Sequence, residues 1–399
     1  MLQLVDIPGR MRWRRAQPVP PRVLGLRRRL AIAFEERHRR RSQAPSVLDA
    51  AAAELRELHR DRIEGLLAPF RAMPLPFDDL GLLLSDQAER CIDSALHAAL
   101  RHVAQRDGPA PGDCAVLELG KLGGQEMTVA SDLDIIFLYD PADTACPNQA
   151  AGYFDQVAKA MIRLLTWSEG HAHLYEVDMR LRPHGDDGPL AVSLAAFARY
   201  YEQECWSWEL LALARGRCVV GRGRLCGAVT ELLSAIHAQA GRRPELTREV
   251  ADMRALLQDE LPAQSVWDLK RSVGGLTDLE FLAQTQLLLA AGSDPEFRVV
   301  TGLRRSLRTL SALGRLPPRD LQVLCDAAGL YHSVQHVQKL AGVLDLEHAA
   351  DPHKQLASLT MGCSPAVLRR RLGALQSQVR RRFEHYVGSV AADAAHSAA

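Results

Sequence analysis

The sequence contains no apolar run approaching the roughly 18 residues that a helix needs to cross a bilayer, so no membrane span is predicted. A P-loop is missing too: Leu122 stands where Ser or Thr must follow Gly120-Lys121, and Ala115 occupies the upstream glycine position. The eight cysteines (Cys91, Cys114, Cys146, Cys205, Cys218, Cys226, Cys325 and Cys363) show no C-x-x-C spacing. Scattered through apolar patterns, they read as reduced core thiols of a cytoplasmic protein rather than zinc ligands. Charge of one sign is also lacking, with 49 Lys+Arg against 48 Asp+Glu and a net +1. Aromatic residues make up 5% and show no interleaving with basic ones of the kind typical of single-strand binders, so the overall composition does not support nucleic acid as a partner. Lysine occurs only at 121, 159, 270, 339 and 354, which gives a lysine inside a motif a little more weight.

What remains is ordinary globular material, 399 residues long and 47% hydrophobic, with room for two or three domains. Residues 1–44 hold twelve arginines against Asp6, Glu35 and Glu36, with Pro18, Pro20 and Pro21 interrupting any helix. A transit peptide or a nucleic-acid arm has that composition, and so does a poorly ordered end, which is the expectation here.

The stretch Cys114–Asp140 organises the rest. Ala115–Leu119 reads as an apolar strand, Gly120-Lys121-Leu122-Gly123-Gly124 as a turn, and a second apolar strand opens with Asp132-Leu133-Asp134. Strand side chains alternate, so Asp132 and Asp134 share one face while Leu133 and Ile135 point into a core. Neighbouring carboxylates repel, and a divalent cation relieves the repulsion. The pair Gly123-Gly124 lets backbone N–H groups approach a phosphate closely. Together these features point to metal-assisted nucleotide chemistry.

A helix over Tyr153–Trp167 is predicted next, with Phe154, Val157, Met161 and Leu164 inward. Residues 171–182 then alternate as one strand, Tyr175, Val177, Met179 and Leu181 toward a core and Glu176, Asp178, Arg180 and Arg182 opposite. A solvated strand face looks the same in isolation; one helix after Asp132 and Asp134, it reads as a neighbouring strand carrying a third acid. Asp132, Asp134 and Asp178 would hold one or two Mg²⁺ ions, and the turn at Gly123-Gly124 the β- and γ-phosphates of a nucleoside triphosphate. Arg180, Arg182 or Lys121 would neutralise charge on the leaving group. His171 and His173 are weaker metal candidates beside such hard oxygen ligands.

Elsewhere the patterns are helical. Ser46 and Asp49 form a capping box before Leu48, Ala52, Leu55, His59 and Leu66, and a second helix over about Asp86–His102 turns Ile92, Leu96, Ala99 and Val103 to one side. His59-Arg60-Asp61 imitates part of a kinase catalytic loop, but it sits in a helical pattern without its companion motifs. Ser193 is expected to cap a long helix through Arg217, with Arg215 and Arg217 either in structural ion pairs or reaching a phosphate. At 267–281 a strand-like lead-in and Gly274-Gly275 precede an apolar helix on which Asp278 and Glu280, two apart, face different ways. From about 299 to 388, breaks at Gly314–Pro318 and Ser364-Pro365 separate the helices of a bundle.

These motifs also carry a resemblance. Gly120-Lys121-Leu122-Gly123-Gly124 with Ser131-Asp132-Leu133-Asp134 resembles the nucleotidyltransferase signature of the DNA polymerase β superfamily. Glu176–Pro183, Glu204-Cys205-Trp206-Ser207-Trp208-Glu209, Ala212–Arg217 and Asp268–Phe281 extend it to bacterial glutamine synthetase adenylyltransferases, over about residues 85–345. The departures are Leu210, where that family generally has His, Gly216, where it has Ala, and the first 80 residues. The resemblance implies an α+β fold, a small polymerase-β-like mixed sheet with flanking helices followed by an all-α bundle. It divides the chain at 1–44, 45–222 (nucleotidyltransferase) and 223–399 (bundle). It further implies Mg²⁺ and ATP, with Asp132, Asp134 and Asp178 as metal ligands and catalytic acids, and Lys121, Gly123, Gly124, Ser131, Arg180 and Arg182 around the nucleotide. The implied activity is AMP transfer to a tyrosine of glutamine synthetase, with a PII signal protein as a further partner. Relatives usually carry two such units, and the single unit here is similar to the C-terminal, AMP-adding one. Phosphorolytic removal of AMP, and a relative that binds glutamine synthetase without chemistry, are the alternatives.

Overall fold

The computed structural model describes residues 2–5, 12–15, 48–57, 59–60, 77–166, 168–169 and 172–388. Most of the Arg-rich stretch 1–44, Ser46, Asp61, Leu66, Trp167, His171 and residues 389–399 lie outside the described residues. Near the start, β1 (Leu2–Val5) and β2 (Arg12–Arg15) pair antiparallel. The chain divides into two compact units. The first is Met1–Met127, Ser131–Tyr200 and Arg217–Thr230, and the second Thr128–Ala130, Tyr201–Gly216 and Glu231–Ala399.

The first unit is built on a mixed sheet of β3 (Gly112–Glu118), β4 (Leu133–Pro141), β7 (Val177–Asp178), β8 (Ala191–Ser193) and β9 (Arg217–Gly221). The order is β7–β4–β3–β9, with β8 also on β4. β3 runs antiparallel to both β4 and β9, whereas β7 and β8 are parallel to β4. A small ribbon of β5 (Ser168–Glu169) and β6 (Ala172–His173) stands apart from it. Residues 114–117 of β3 and 135–139 of β4 are buried on both faces, which is why they read as unbroken apolar runs. Helices Phe77–Asp107 and Pro147–Leu165 pack on each other and on the sheet. Their predicted inward residues, Ile92, Leu96, Ala99 and Val103 on one and Phe154, Val157, Met161 and Leu164 on the other, are all buried. Phe154 stacks on Tyr139 of β4 with ring centroids 4.9 Å apart.

Three expectations change in this part of the chain. Gly120–Gly124 forms one turn of helix instead of an open turn, because the Gly123 N–H donates to Leu119 O at 2.7 Å and Gln125 closes the turn in the left-handed region. The strand expected over 171–182 keeps only Val177–Asp178 beside β4. Past it the chain turns, with Arg182 N–H donating to Met179 O at 3.1 Å and Gly185 N–H to Arg182 O at 2.8 Å. Arg182 is therefore buried, not aligned with Asp178 on a polar face. Its guanidinium donates to Met179 O at 2.8 Å and Gly188 O at 3.2 Å and pins the turn. The helix expected from Ser193 to Arg217 is broken in two. Ser193 does cap its start, accepting from Ala196 N–H at 3.2 Å. Leu194–Gln203 then ends, Ser207–Leu213 begins afresh with Glu209 accepting from Trp206 N–H at 2.8 Å, and Arg217 opens β9.

Among its described residues the second unit is helical, with Leu246–Glu260, Leu276–Ser293, Leu303–Ala312, Pro318–Ala341, Asp351–Met361 and Pro365–Phe383 as its main helices. Pro318 and Pro365 open their helices, where a missing N–H costs nothing. The lead-in at 267–275 is a series of turns rather than a strand, closed by Leu276 N–H donating to Leu269 O at 2.7 Å. Gly274 is left-handed at φ +73, and a side chain there would overlap the Gln376 carbonyl. Its N–H donates to Asp278 Oδ2 at 2.6 Å and its carbonyl accepts from Tyr331 Oη–H at 2.9 Å. Asp278 is fully buried and ion-paired with Arg254, which is itself buried. Glu280 faces away from Asp278 and meets Arg215 at 2.6 Å. The fold is thus α+β: a small mixed sheet with flanking helices, followed by a helical region. Among the described residues no helix is long and apolar enough to cross a membrane.

Candidate active site

The β4–β7 ladder sets the centre of the site. Leu133 is the register partner of Val177 and Asp134 that of Asp178, a pairing anchored by Leu133 N–H donating to Glu176 O at 2.8 Å. Directly opposed residues project to the same side of a sheet, so Asp134 and Asp178 stand side by side, with Asp132 just ahead of the strand. A cleft of about 450 Å³ opens here, lined among others by Asp132, Glu176, Asp178, Arg180 and Asp186.

Two of the acids are already engaged. Arg180 grips Asp178 as a fork, Nη2 at 2.6 Å from Oδ2 and Nε at 3.1 Å from each oxygen, while its own N–H donates to Oδ1 at 2.9 Å. Those hydrogen bonds outweigh partial burial and hold the Asp178 carboxyl below the usual carboxylate range. Asp134 lies against Gly120, whose φ is +52; a Cβ at that position would sit 2.7 Å from Asp134 Cγ. Gly120 is therefore required both by its backbone and by the carboxylate that covers it.

Lys121 belongs to the helical turn after β3, and Gly123 and Gly124 are buried within it. Ser131 lies immediately before Asp132, ahead of β4. The side chain of His173, like the whole of His171, is outside the described residues. Arg215 and Arg217 are both engaged in ion pairs, with Glu280 and with Glu89 and Glu118 respectively. Glu176 and Asp186 line the cleft without having been singled out; the signal for Asp186 was hidden in a segment whose composition reads as a turn. Glu118 also escaped notice, although a lone acid inside an apolar strand calls for a buried partner.

Carboxylate oxygens are the donors that Mg²⁺ prefers, and the register pairing of Asp134 with Asp178 beside Asp132 supplies three of them. In chemistry and strand placement the set fits the ion. Among the described residues no three His, Cys, Asp or Glu side chains converge as a preformed cage.

Residues 27–232 match the family model described as glutamate-ammonia ligase adenylyltransferase. Residues 248–386 match the one described as GlnD PII-uridylyltransferase. A Rhizobium meliloti protein named bifunctional glutamine synthetase adenylyltransferase/adenylyl-removing enzyme is 35% identical over 333 residues, covering 77% of this chain and 32% of that protein. The protein of that name from Xanthobacter autotrophicus is 39% identical over 239 residues, covering 58% of this chain and 24% of its own length. The one from Bradyrhizobium sp. ORS 278 is 32% identical over 314 residues, or 76% and 32%. The chain thus spans about a third or less of the length of these relatives. With more than half of its residues inside the first family model and the motifs of the β3–β4–β7 region within that match, the chain belongs to the glutamate-ammonia ligase adenylyltransferase family.

Proposed function

We propose that this chain transfers AMP from ATP to a tyrosine hydroxyl of glutamine synthetase and releases pyrophosphate. The observation that carries the reading is the side-by-side placing of Asp134 and Asp178 across β4 and β7, beside a cleft that Asp178 lines together with Asp132 and Arg180. The substrate protein is the one that the relatives are named for. Asp132, Asp134 and Asp178 would hold Mg²⁺, which when bound offsets the charge of the triphosphate and polarises its phosphoryl oxygens. In the transfer, the tyrosine oxygen bonds to the α-phosphorus as the bond from that phosphorus to the bridging oxygen breaks. The electron pair leaves with pyrophosphate, and the tyrosine proton passes to solvent. Arg180, on the rim of the cleft, supplies positive charge where the leaving pyrophosphate gains negative charge. Lys121, Gly123, Gly124 and Ser131 flank the carboxylates in sequence and form the nucleotide side. Arg182 lines the same cleft, where it braces the turn through backbone carbonyls and stands 3.6 Å from the Asp186 carboxylate, which leaves its charge on the nucleotide side. The protein would work in the cytoplasm, and the match of residues 248–386 to a PII-uridylyltransferase supports a PII signal protein as a regulatory partner.

The test is incubation with α-labelled ATP, Mg²⁺ and glutamine synthetase, read by intact mass. One AMP per modified synthetase subunit is expected, and its loss in Asp134→Asn and Asp178→Asn. Absence of label on a competent synthetase overturns the proposal. The removal reaction is the second reading, favoured by the bifunctional name of the relatives. Release of ADP from adenylylated synthetase and phosphate, with no forward transfer, would assign it instead.

A further inference from the structure

Beneath the glycine-rich turn lies a charged cluster that the transfer does not use directly. Glu118 ends β3, is fully buried, and is the register partner of Arg217 on β9. Arg217 Nη2 stands 2.8 Å from Glu118 Oε2 and 2.5 Å from Glu89 Oε1, the latter from helix Phe77–Asp107. The same guanidinium donates through Nε to Gly123 O at 3.3 Å and through Nη2 to Leu122 O at 3.4 Å. Burying Glu118 is costly: desolvation pushes its carboxyl well above the usual range, opposed chiefly by Arg217, and neither oxygen has a well-aligned hydrogen bond. Holding β3 to β9 does not require such a pair, because neighbouring Val116 and Val220 do so with apolar side chains.

The cluster makes sense through what Arg217 touches above it. The turn Gly120–Gly124 is held at both ends, its first residue under the Asp134 carboxylate and its last carbonyls on the Arg217 guanidinium. Glu89, by a hydrogen bond, and Glu118, by its charge, hold that guanidinium from two further elements. We propose that Arg217 is a positioning residue for the nucleotide: it sets the Gly120–Gly124 turn against Asp134 and thereby the seat of the ATP phosphates. The inference rests on the adenylyl-transfer reading. Arginine suits the place, since its guanidinium reaches the Gly123 carbonyl through Nε while Nη2 faces both carboxylates and the Leu122 carbonyl, whereas a lysine ammonium is a single point donor.

The experiment compares the full chain with Arg217→Lys and with Glu89→Gln/Glu118→Gln/Arg217→Gln, which leaves none of the three paired charges uncompensated. Thermal unfolding, calorimetry with ATP and Mg²⁺, and AMP transfer to glutamine synthetase are measured on each. Displacing a phosphate-seating turn by a fraction of an ångström is expected to weaken ATP affinity and raise the KM for ATP by about tenfold. The KM for glutamine synthetase should stay within about twofold, a split that general loosening of the fold does not produce. A folded Arg217→Lys with wild-type ATP affinity overturns the inference, as does an equal rise in both KM values. If Arg217→Lys fails to fold, the neutral variant is judged by the same two outcomes. Failure of the wild type to transfer AMP counts against the activity alone, because the calorimetric ratio of variant to wild type still reads the positioning role.

Discussion

Replacing Gly120 by alanine brings backbone and site into one measurement. The residue sits at φ +52, where an L side chain costs about 1–2 kcal/mol. Its new Cβ would overlap Asp134 Oδ2 outright and lie 2.7 Å from Asp134 Cγ, whereas ordinary contact begins at 3.4 Å, so the carboxylate must retreat by more than about 1 Å. A reacting arrangement misplaced by about 1 Å loses on the order of 100-fold in rate. Gly120→Ala should therefore lower the melting temperature by only several degrees, at about 2–4 °C per kcal/mol for a unit of this size, yet slow AMP transfer by about one to two orders of magnitude. Gly152 is the control, because nothing lies within 4 Å of a Cβ there and the residue is inside helix Pro147–Leu165. Gly152→Ala should stabilise by about 0.5–1 kcal/mol and leave transfer unchanged. Single-turnover transfer and thermal unfolding on both variants decide the matter. A Gly120→Ala rate within threefold of wild type, or one restored in full by correcting for unfolded protein, refutes the argument that this contact seats Asp134.

His237 makes the second unit acid-sensitive. Buried, with Nε2–H donating to Leu213 O at 3.1 Å, it is held down to about 4 from an ordinary value of 6.5 by desolvation. The unfolded chain takes up a proton that the folded state refuses, so stability falls as pH drops from about 6.5 to 4 and levels off below, by on the order of 3 kcal/mol in all. Urea unfolding at pH 7 and pH 4.5 should show that loss in the wild type and little of it in His237→Gln; parallel losses in both would assign the sensitivity elsewhere. Arg254→Met strands the fully buried Asp278, with Arg380 Nη1 at 3.5 Å as its remaining cationic neighbour. A cost of about 3–5 kcal/mol is expected by chemical denaturation, and one below about 1 kcal/mol would show that the pair is dispensable. Tyr331→Phe removes the donor to Gly274 O and should cost about 1 kcal/mol without altering the cooperativity of unfolding, whereas no change would mean that water replaces the phenol.

Periodicity made the first unit legible wherever one residue type could stand for one environment. Ile92, Leu96, Ala99 and Val103, and again Phe154, Val157, Met161 and Leu164, announce their buried faces, and β3 and β4 announce themselves as apolar runs. The neighbourhood of Asp134 and Asp178 was readable because one helix between two strands leaves few ways to place the second beside the first. The alternation over 171–182 misled, since period two says nothing about where hydrogen-bond partners end, and beyond Asp178 the chain bonds to its own turn. No glycine or proline marks the break at Glu204–Trp206, which is made by Glu209 folding back on the Trp206 N–H. The bracing of the glycine turn was out of reach for another reason: Arg217 and Glu89 are 128 residues apart in sequence, and only the folded sheet makes them neighbours.

The outer rail of β4 is met by two short partners in tandem, at residues 133–134 by β7 and at 137–139 by β8. The opposite edge is the five-residue β9, whose pairing to β3 is interrupted by a bulge beside the exposed Val219. An open sheet edge invites a strand from another molecule, and a long flat edge does so most. Here each edge ends after a few residues or kinks, so an invading chain finds too little straight backbone to register against. The segmentation that lets 179–190 leave the sheet and carry cleft side chains also keeps this apolar sheet from recruiting copies of itself.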